Sequence, residues 1–135
     1  MKVFISHAVA DKDLAGRVAA TLKESGFQVW DESQVLPGDN WGEQLGQALR
    51  DSQAMVVLLT PQAVQSPNVT LEVGYALGQL AYKGRVVPVI AAPPDQLPRD
   101  KIPWVLSKFH TVNLTGAEQE EEGLKRIAQV LQEAA

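Results

Sequence analysis

The chain contains no cysteine in its 135 residues. That absence excludes a disulfide framework, a thiol nucleophile and a zinc–thiolate centre. Its two histidines, His7 and His110, lie far apart in sequence, so no metal centre is expected. No Lys/Arg run supplies a basic stripe and the net charge is −4, which argues against nucleic-acid binding by this domain. No apolar run approaches the roughly 18 residues of a membrane span. The opening MKVFISHAVADKD, Met1 to Asp13, lacks the longer apolar region of a signal peptide. A cytoplasmic location with no membrane partner is therefore expected. Repeats and low-complexity tracts are also missing. The Pro-rich stretch AAPPDQLP, Ala91 to Pro98, reads as a loop inside the domain.

What is present is ordinary for a globular domain: 45% apolar and 21% charged residues, and enough length for one core. Lys2 to Ile5 reads as a short apolar strand. Asp11 is placed to cap a helix in which Leu14, Val18 and Leu22 recur every four residues, and Gly26 ends it. Phe27 to Trp30 is a second strand, followed by the polar loop Asp31 to Asn40 with Pro37 and Gly38 in it. Asn40 and Glu43 resemble a capping box for a helix that turns Leu45, Ala48 and Leu49 inward. Ala54 to Leu59 is apolar without alternation, as in a strand covered on both faces.

Ser66 then caps a helix with Pro67 in its first position, expected to run to about Lys83. Arg85 to Ile90 and Phe109 to Leu114 are the last two strands. Pro88 weakens the former as a central strand or moves it nearer an edge. Ile102 to Leu106 suggests a short helix between them. Thr115 with Glu118 forms a capping box for a final helix lined by Leu124, Ile127, Ala128 and Leu131. The acidic run Glu118 to Glu122 suits a helix N-terminus and solvent.

Strands alternating with helices imply a parallel sheet with helices on both faces and right-handed crossovers. Five such strands favour the flavodoxin-like order 2-1-3-4-5. The switch point then falls between the first and third strands, where ligands bind beyond the carboxyl ends. The loops Ser6 to Asp11 and Thr60 to Ser66 meet there. Topology alone brings Ser6, His7 and Glu72 toward one place.

Glu72 is the most informative residue. In SPNVTLEVGYALG, Ser66 to Gly78, it stands at helical spacings of three and four from Val69, Val73 and Ala76. A carboxylate on an apolar face needs a partner, a ligand or a chemical job. The competing reading is that the pattern drifts and Glu72 only grazes the core edge.

The usual occupants of this fold are eliminated by their missing residues. A phospho-accepting receiver needs acids after the first and third strands and a lysine after the fifth. Here those places read Ser6-His7, Thr60-Pro61 and no lysine. No glycine-rich phosphate loop with Lys-Ser/Thr, no GxGxxG and no GxSxG elbow is present. Ser, His, a helix N-terminus and one Glu remain.

With those residues in view, the chain resembles a Toll/interleukin-1 receptor (TIR) domain of the bacterial kind. FISHAVADKD, Phe4 to Asp13, resembles the first box of that family. VWDESQVLPGDNW, Val29 to Trp41, resembles its second box and functional loop, and SPNVTLEVGYA the segment of its catalytic glutamate. The resemblance implies a single domain over residues 1–135, complete or the N-terminal part of a longer protein.

It further implies NAD+ cleavage between nicotinamide and ribose, with NAD+ as substrate and no separate cofactor. Glu72 is then catalytic, and Ser6, His7, Ala8, Trp30, Asp31, Leu36 and Asn68 bind substrate. Pro37, Gly38, Asp39 and Trp41 belong to an assembly loop through which the domain self-associates. A sensor domain or partner protein is implied as well, in bacterial defence or signalling. Many catalytic members carry Trp four residues before the glutamate, where this chain has Asn68. Trp30, Trp41 or Tyr75 would have to supply the lost stacking surface.

Several roles stay open. His7 either contacts substrate or satisfies a backbone group. Ser6 reads as a turn residue bonding the backbone rather than a nucleophile, since no base pairs with it by motif. Trp41 is partial core or an aromatic facing a ligand or partner. Asp31 orders its loop or touches substrate. Two other functions also remain. One is a non-catalytic TIR adaptor working by homotypic assembly. The other is a nucleoside deoxyribosyltransferase, whose E-x-G-Y-A stretch Glu72, Gly74, Tyr75 and Ala76 match.

Overall fold

The computed structural model describes residues 1–30, 38, 40–115 and 117–134, with side chains for all of these except residues 99 and 117–119. Five parallel strands form one sheet: β1 (Lys2–Ser6), β2 (Gln28–Trp30), β3 (Ala54–Leu59), β4 (Val86–Ile90) and β5 (Val112–Asn113). Their order is β2-β1-β3-β4-β5, the doubly wound arrangement expected from the alternation of elements. Four helices cover it: α1 (Lys12–Glu24), α2 (Trp41–Asp51), α3 (Pro67–Leu77) and α4 (Ala117–Ala134).

The period-two alternation of strand side chains divides the core into two layers. Val3 and Ile5 of β1, with Val56 and Leu58 of β3, pack against Val18 and Leu22 of α1 and Ile127 and Leu131 of α4. Phe4, Met55, Val57 and Leu59 face the other way, against Ala48 and Leu49 of α2 and Val69, Val73 and Ala76 of α3. β3 is covered on both sides, so all its residues are buried and its sequence shows no alternation.

Local signals set several element ends. Gly26 takes φ +94° after α1, and the amides of Gly26 and Phe27 donate to the carbonyls of Lys23 and Leu22 in a Schellman closure. Asn40 Oδ1 accepts the Glu43 amide at 3.1 Å and Ser66 Oγ the Val69 amide at 3.3 Å.

Other expectations are corrected. α3 stops at Leu77 rather than near Lys83. Gly78 caps it, Gln79 is extended, and a 3-10 turn over Leu80–Tyr82 carries Tyr82 into the core. A continued helix would forfeit the bond from the Tyr82 hydroxyl to the Leu49 carbonyl, 2.7 Å. The helix expected over Ile102 to Leu106 is a 3-10 turn, Trp104–Lys108. The last strand is two residues rather than Phe109 to Leu114, because Phe109 still caps that turn and turns into the α2/α3 layer. Thr115 gives its hydroxyl to Asn113 Oδ1, and the Glu118 half of the expected capping box lies outside the described side chains.

Pro88 is accommodated by position. Arg85 and Ala91 turn their backbone groups to β3 and Ile90 to β5, so by alternation Pro88 turns its donorless nitrogen toward β5. The β4–β5 ladder begins only at Val89–Val112, so no ladder bond is lost there.

Burial pushes the Tyr82 phenol up to about 12, with Tyr75 adding in the same direction and Ser52 opposing. The folded state therefore holds this proton more tightly than the unfolded chain. Its contribution is whole below about pH 10 and lost as pH rises toward 12. Wild type is expected to lose about 2 kcal/mol over that window relative to its own neutral-pH value. Tyr82→Phe should lack this alkaline loss while being about 1 kcal/mol less stable at neutral pH. Urea denaturation at several pH values measures both.

Candidate active site

β1 sits in the sheet between β2 and β3, so its carboxyl end opens at the switch point. Ser6 is its last residue, in register with Val57 of β3. Strand parity turns Ser6 to the same side as Phe4, the α3 side. There its hydroxyl donates to Glu72 Oε1 at 2.7 Å. Ser6 is fully enclosed and Glu72 is 3% exposed. The expected apolar face is therefore real: Glu72 is buried together with Val69, Val73 and Ala76. The drift reading of this helix is set aside. So is the reading of Ser6 as a backbone-bonding turn residue, because its single proton goes to the carboxylate.

His7 and Ala8 continue from Ser6 and are both buried at 7% exposure. The His7 Nδ1 lies 2.7 Å from the Ala8 carbonyl. A carbonyl only accepts, so Nδ1 is the donor in this bond. His7 thus satisfies a backbone group and keeps a second nitrogen for other chemistry.

A second bond between the two crevice loops has no counterpart in the sequence expectations. Thr60 Oγ1 donates to Asp11 Oδ2 at 2.6 Å and accepts the Ala63 amide at 3.1 Å. Asp11 does not cap α1 with its side chain as expected. Its carboxylate instead ties the loop after β1 to the loop after β3. A Thr three residues before an amide at a turn is a local signal for the Ala63 bond. The Asp11 bond spans 49 residues and has none.

Thr60→Val should cost about 1–2 kcal/mol, since it leaves the Ala63 amide unsatisfied and frees Asp11. It should also speed hydrogen exchange at Ala63. Unchanged exchange and stability would show that the tie does not hold the loops.

The aromatic candidates divide. Trp30 ends β2 with its ring stacked on Phe4, centroids 5.1 Å apart and planes 12° apart, and it is 6% exposed. That ring is core. Tyr75 is half-buried and meets Tyr82 edge-on. Trp41 opens α2 at 39% exposure, more open than a partial-core residue need be. Asn68 is exposed one turn before Glu72 on α3. Gly38 lies in a turn with φ +93°, a value that favours glycine. Asp31, Leu36, Pro37 and Asp39 lie outside the described residues.

Among the described residues no His/Cys/Asp/Glu group is disposed to hold a metal ion. No helix among them is long and apolar enough to cross a membrane. The arrangement offers one enclosed carboxylate, a serine donor and an adjacent imidazole at the mouth of a doubly wound sheet. It suits stabilising a developing positive charge or holding hydroxyl groups.

Comparison with known proteins agrees with the doubly wound fold. The TIR domain of the Toll-related receptor TRR-2 from Hydra magnipapillata superposes with a TM-score of 0.74 at 14% identity, covering 96% of this chain and 97% of that one. A metazoan TIR-STING receptor from C. gigas, described in complex with 2',3'-cGAMP, gives a TM-score of 0.75 at 20% identity. It covers 96% of this chain, which spans only 38% of that receptor. At these identities the likeness is one of fold. No curated protein matches the sequence. The TIR domain profile matches residues 3–128, nearly the whole sequence, and on that match the chain belongs to the TIR domain family.

Proposed function

We propose that this TIR domain is an NAD+ glycohydrolase that breaks the bond between nicotinamide and ribose, with Glu72 as its essential group. The observation that carries the reading is Glu72 itself: a carboxylate 3% exposed on an apolar helix face, at the switch point, bonded to the last residue of β1. Burial of a carboxylate is costly, which makes a chemical role for it a strong candidate.

The chemistry asks little else of the protein. Cleavage of an N-glycosidic bond passes through an oxocarbenium-like centre. Nicotinamide in NAD+ is already a cationic leaving group, so no general acid is required. A carboxylate holds the ribose hydroxyls and stabilises the positive charge, and a dry site strengthens that interaction. Attack by water gives ADP-ribose; attack by an adenine ring nitrogen gives a cyclic isomer. NAD+ is substrate, and no cofactor enters.

Self-association and coupling to a sensor, in defence or signalling, complete the proposal. The C. gigas receptor, in which a TIR unit and STING are named together, supports a TIR fold working beside a sensing module. The test is nicotinamide release by the purified chain at rising protein concentration. Release that climbs more steeply than concentration is the expected result.

The exposed Asn68, at the place where many catalytic members carry Trp, favours a second reading: a non-catalytic adaptor acting by homotypic assembly. No turnover from concentrated or artificially clustered protein would turn the assignment to it. Family membership favours both readings over the deoxyribosyltransferase alternative.

A further inference from the structure

We propose that Ser6 is the positioning residue for Glu72, its hydroxyl holding the carboxylate ionised and fixed in direction; the inference rests on the glycohydrolase reading. Ser6 has no exposed surface, so it is enclosed rather than presented to substrate. It is 66 residues from Glu72 in sequence and 2.7 Å from it in space. Its place at the strand end is rigid: Ser6 is still laddered to β3, while the loop begins one residue later. A donor carried by a sheet and aimed at a carboxylate carried by a helix keeps that group from turning with the loops.

Electrostatics gives the bond its purpose. Burial in an apolar layer favours the neutral form of a carboxyl, and a hydrogen bond to the charged form opposes that. The charge-bearing side chains on the elements packed against α3 are few. β3 and the turn Ala63–Gln65 carry none. β1 carries Lys2 at its far end, and α2 carries Glu43, Arg50 and Asp51, all exposed. The loop after β1 brings His7 and Asp11, the turn Trp104–Lys108 beside α3 brings the exposed Lys108, and α3 itself adds Tyr75. Among the described residues none of these is a buried cation. The Ser6 hydroxyl is one of the groups that engage Glu72, and it does so from a rigid strand end.

The test is a double-mutant cycle on the full chain, with Ser6→Ala and Glu72→Met singly and together, read by urea denaturation. Ser6→Ala should lower the midpoint when Glu72 is present. It should be neutral or raise the midpoint in the Glu72→Met background, where the hydroxyl has lost its acceptor. Equal losses in both backgrounds mark Ser6 as packing only and overturn the proposal. This arm needs no turnover, so failure of the glycohydrolase reading leaves it decisive for the pair.

The second arm uses NAD+ cleavage. Ser6→Ala should lower kcat about tenfold or more with KM little changed, and move the acid limb of the kcat profile up by about one pH unit. Ser6→Thr keeps the hydroxyl and should return the acid limb toward wild type even where its methyl group costs stability. A purely steric role predicts the reverse order, with Thr worse than Ala. An unmoved acid limb and unchanged kcat in Ser6→Ala would overturn the proposal.

Discussion

Glu72→Gln is expected to lower NAD+ cleavage by at least about 100-fold while leaving the fold intact. The amide keeps the size of the side chain and an oxygen that accepts from Ser6, so packing in the α3 layer survives. What disappears is the negative charge opposite the oxocarbenium-like centre. Preorganised charge of this sort is worth about 100- to 1,000-fold in rate for a single group. Stability should move the other way. Glu72 is 3% exposed, and exchanging an enclosed carboxylate for an amide relieves desolvation. The denaturation midpoint is therefore expected to stay level or rise. Nicotinamide release and urea denaturation on the same preparations measure the two sides. Full activity in the variant would remove Glu72 from the chemistry and leave the adaptor reading.

Gly123→Val should destabilise the chain by about 3 kcal/mol without touching the site. In sequence, a glycine within α4 looks like a helix weakened by about 1 kcal/mol for no return. The structure supplies the return. A Cβ at this position would collide with Leu114 Cδ2 and stand 3.3 Å from the Asn113 carbonyl. Leu114 has little room to retreat, because it is 7% exposed and its amide is bonded to the Ile90 carbonyl at 2.8 Å. At Gly123, α4 thus lies closer to Leu114 and the end of β5 than a side chain would allow. Overpacking in a dense layer costs about 1–3 kcal/mol, and a β-branched residue adds its own helix penalty. Gly123→Ala should cost less, since its better helix propensity offsets part of the clash. A valine variant as stable as wild type would show that Leu114 yields freely.

Both predictions depend on contacts of different kinds, and the difference explains what the sequence disclosed. The uniform apolarity of Ala54 to Leu59 follows from a strand covered on both faces, and it reads directly as such. The Ser66 and Asn40 caps are three-residue relations, set by the first turn of a helix. The spacing of Val69, Glu72, Val73 and Ala76 follows from helical periodicity, and it marked Glu72 as an acid on an apolar face, with burial one of two readings. Strand and helix alternation favoured the doubly wound order, and the sheet has it, β2-β1-β3-β4-β5.

Tertiary structure decided where side chains with a choice of partner went. Ser6 could have bonded its own turn, and Asp11 could have capped α1; both side chains bond residues far along the chain, Glu72 and Thr60. Trp30 could have been a stacking platform, and strand register laid it on Phe4. α3 could have continued past Gly78, and the burial of Tyr82 against Leu49 ended it. By itself the sequence determined the layering, the helix starts and the face that holds Glu72, because those depend on periodicity and on neighbours within a turn. The partners of Ser6, Asp11, Trp30 and Tyr82 lie 26 to 66 residues away and were chosen by the packing of the whole sheet, which no local pattern records.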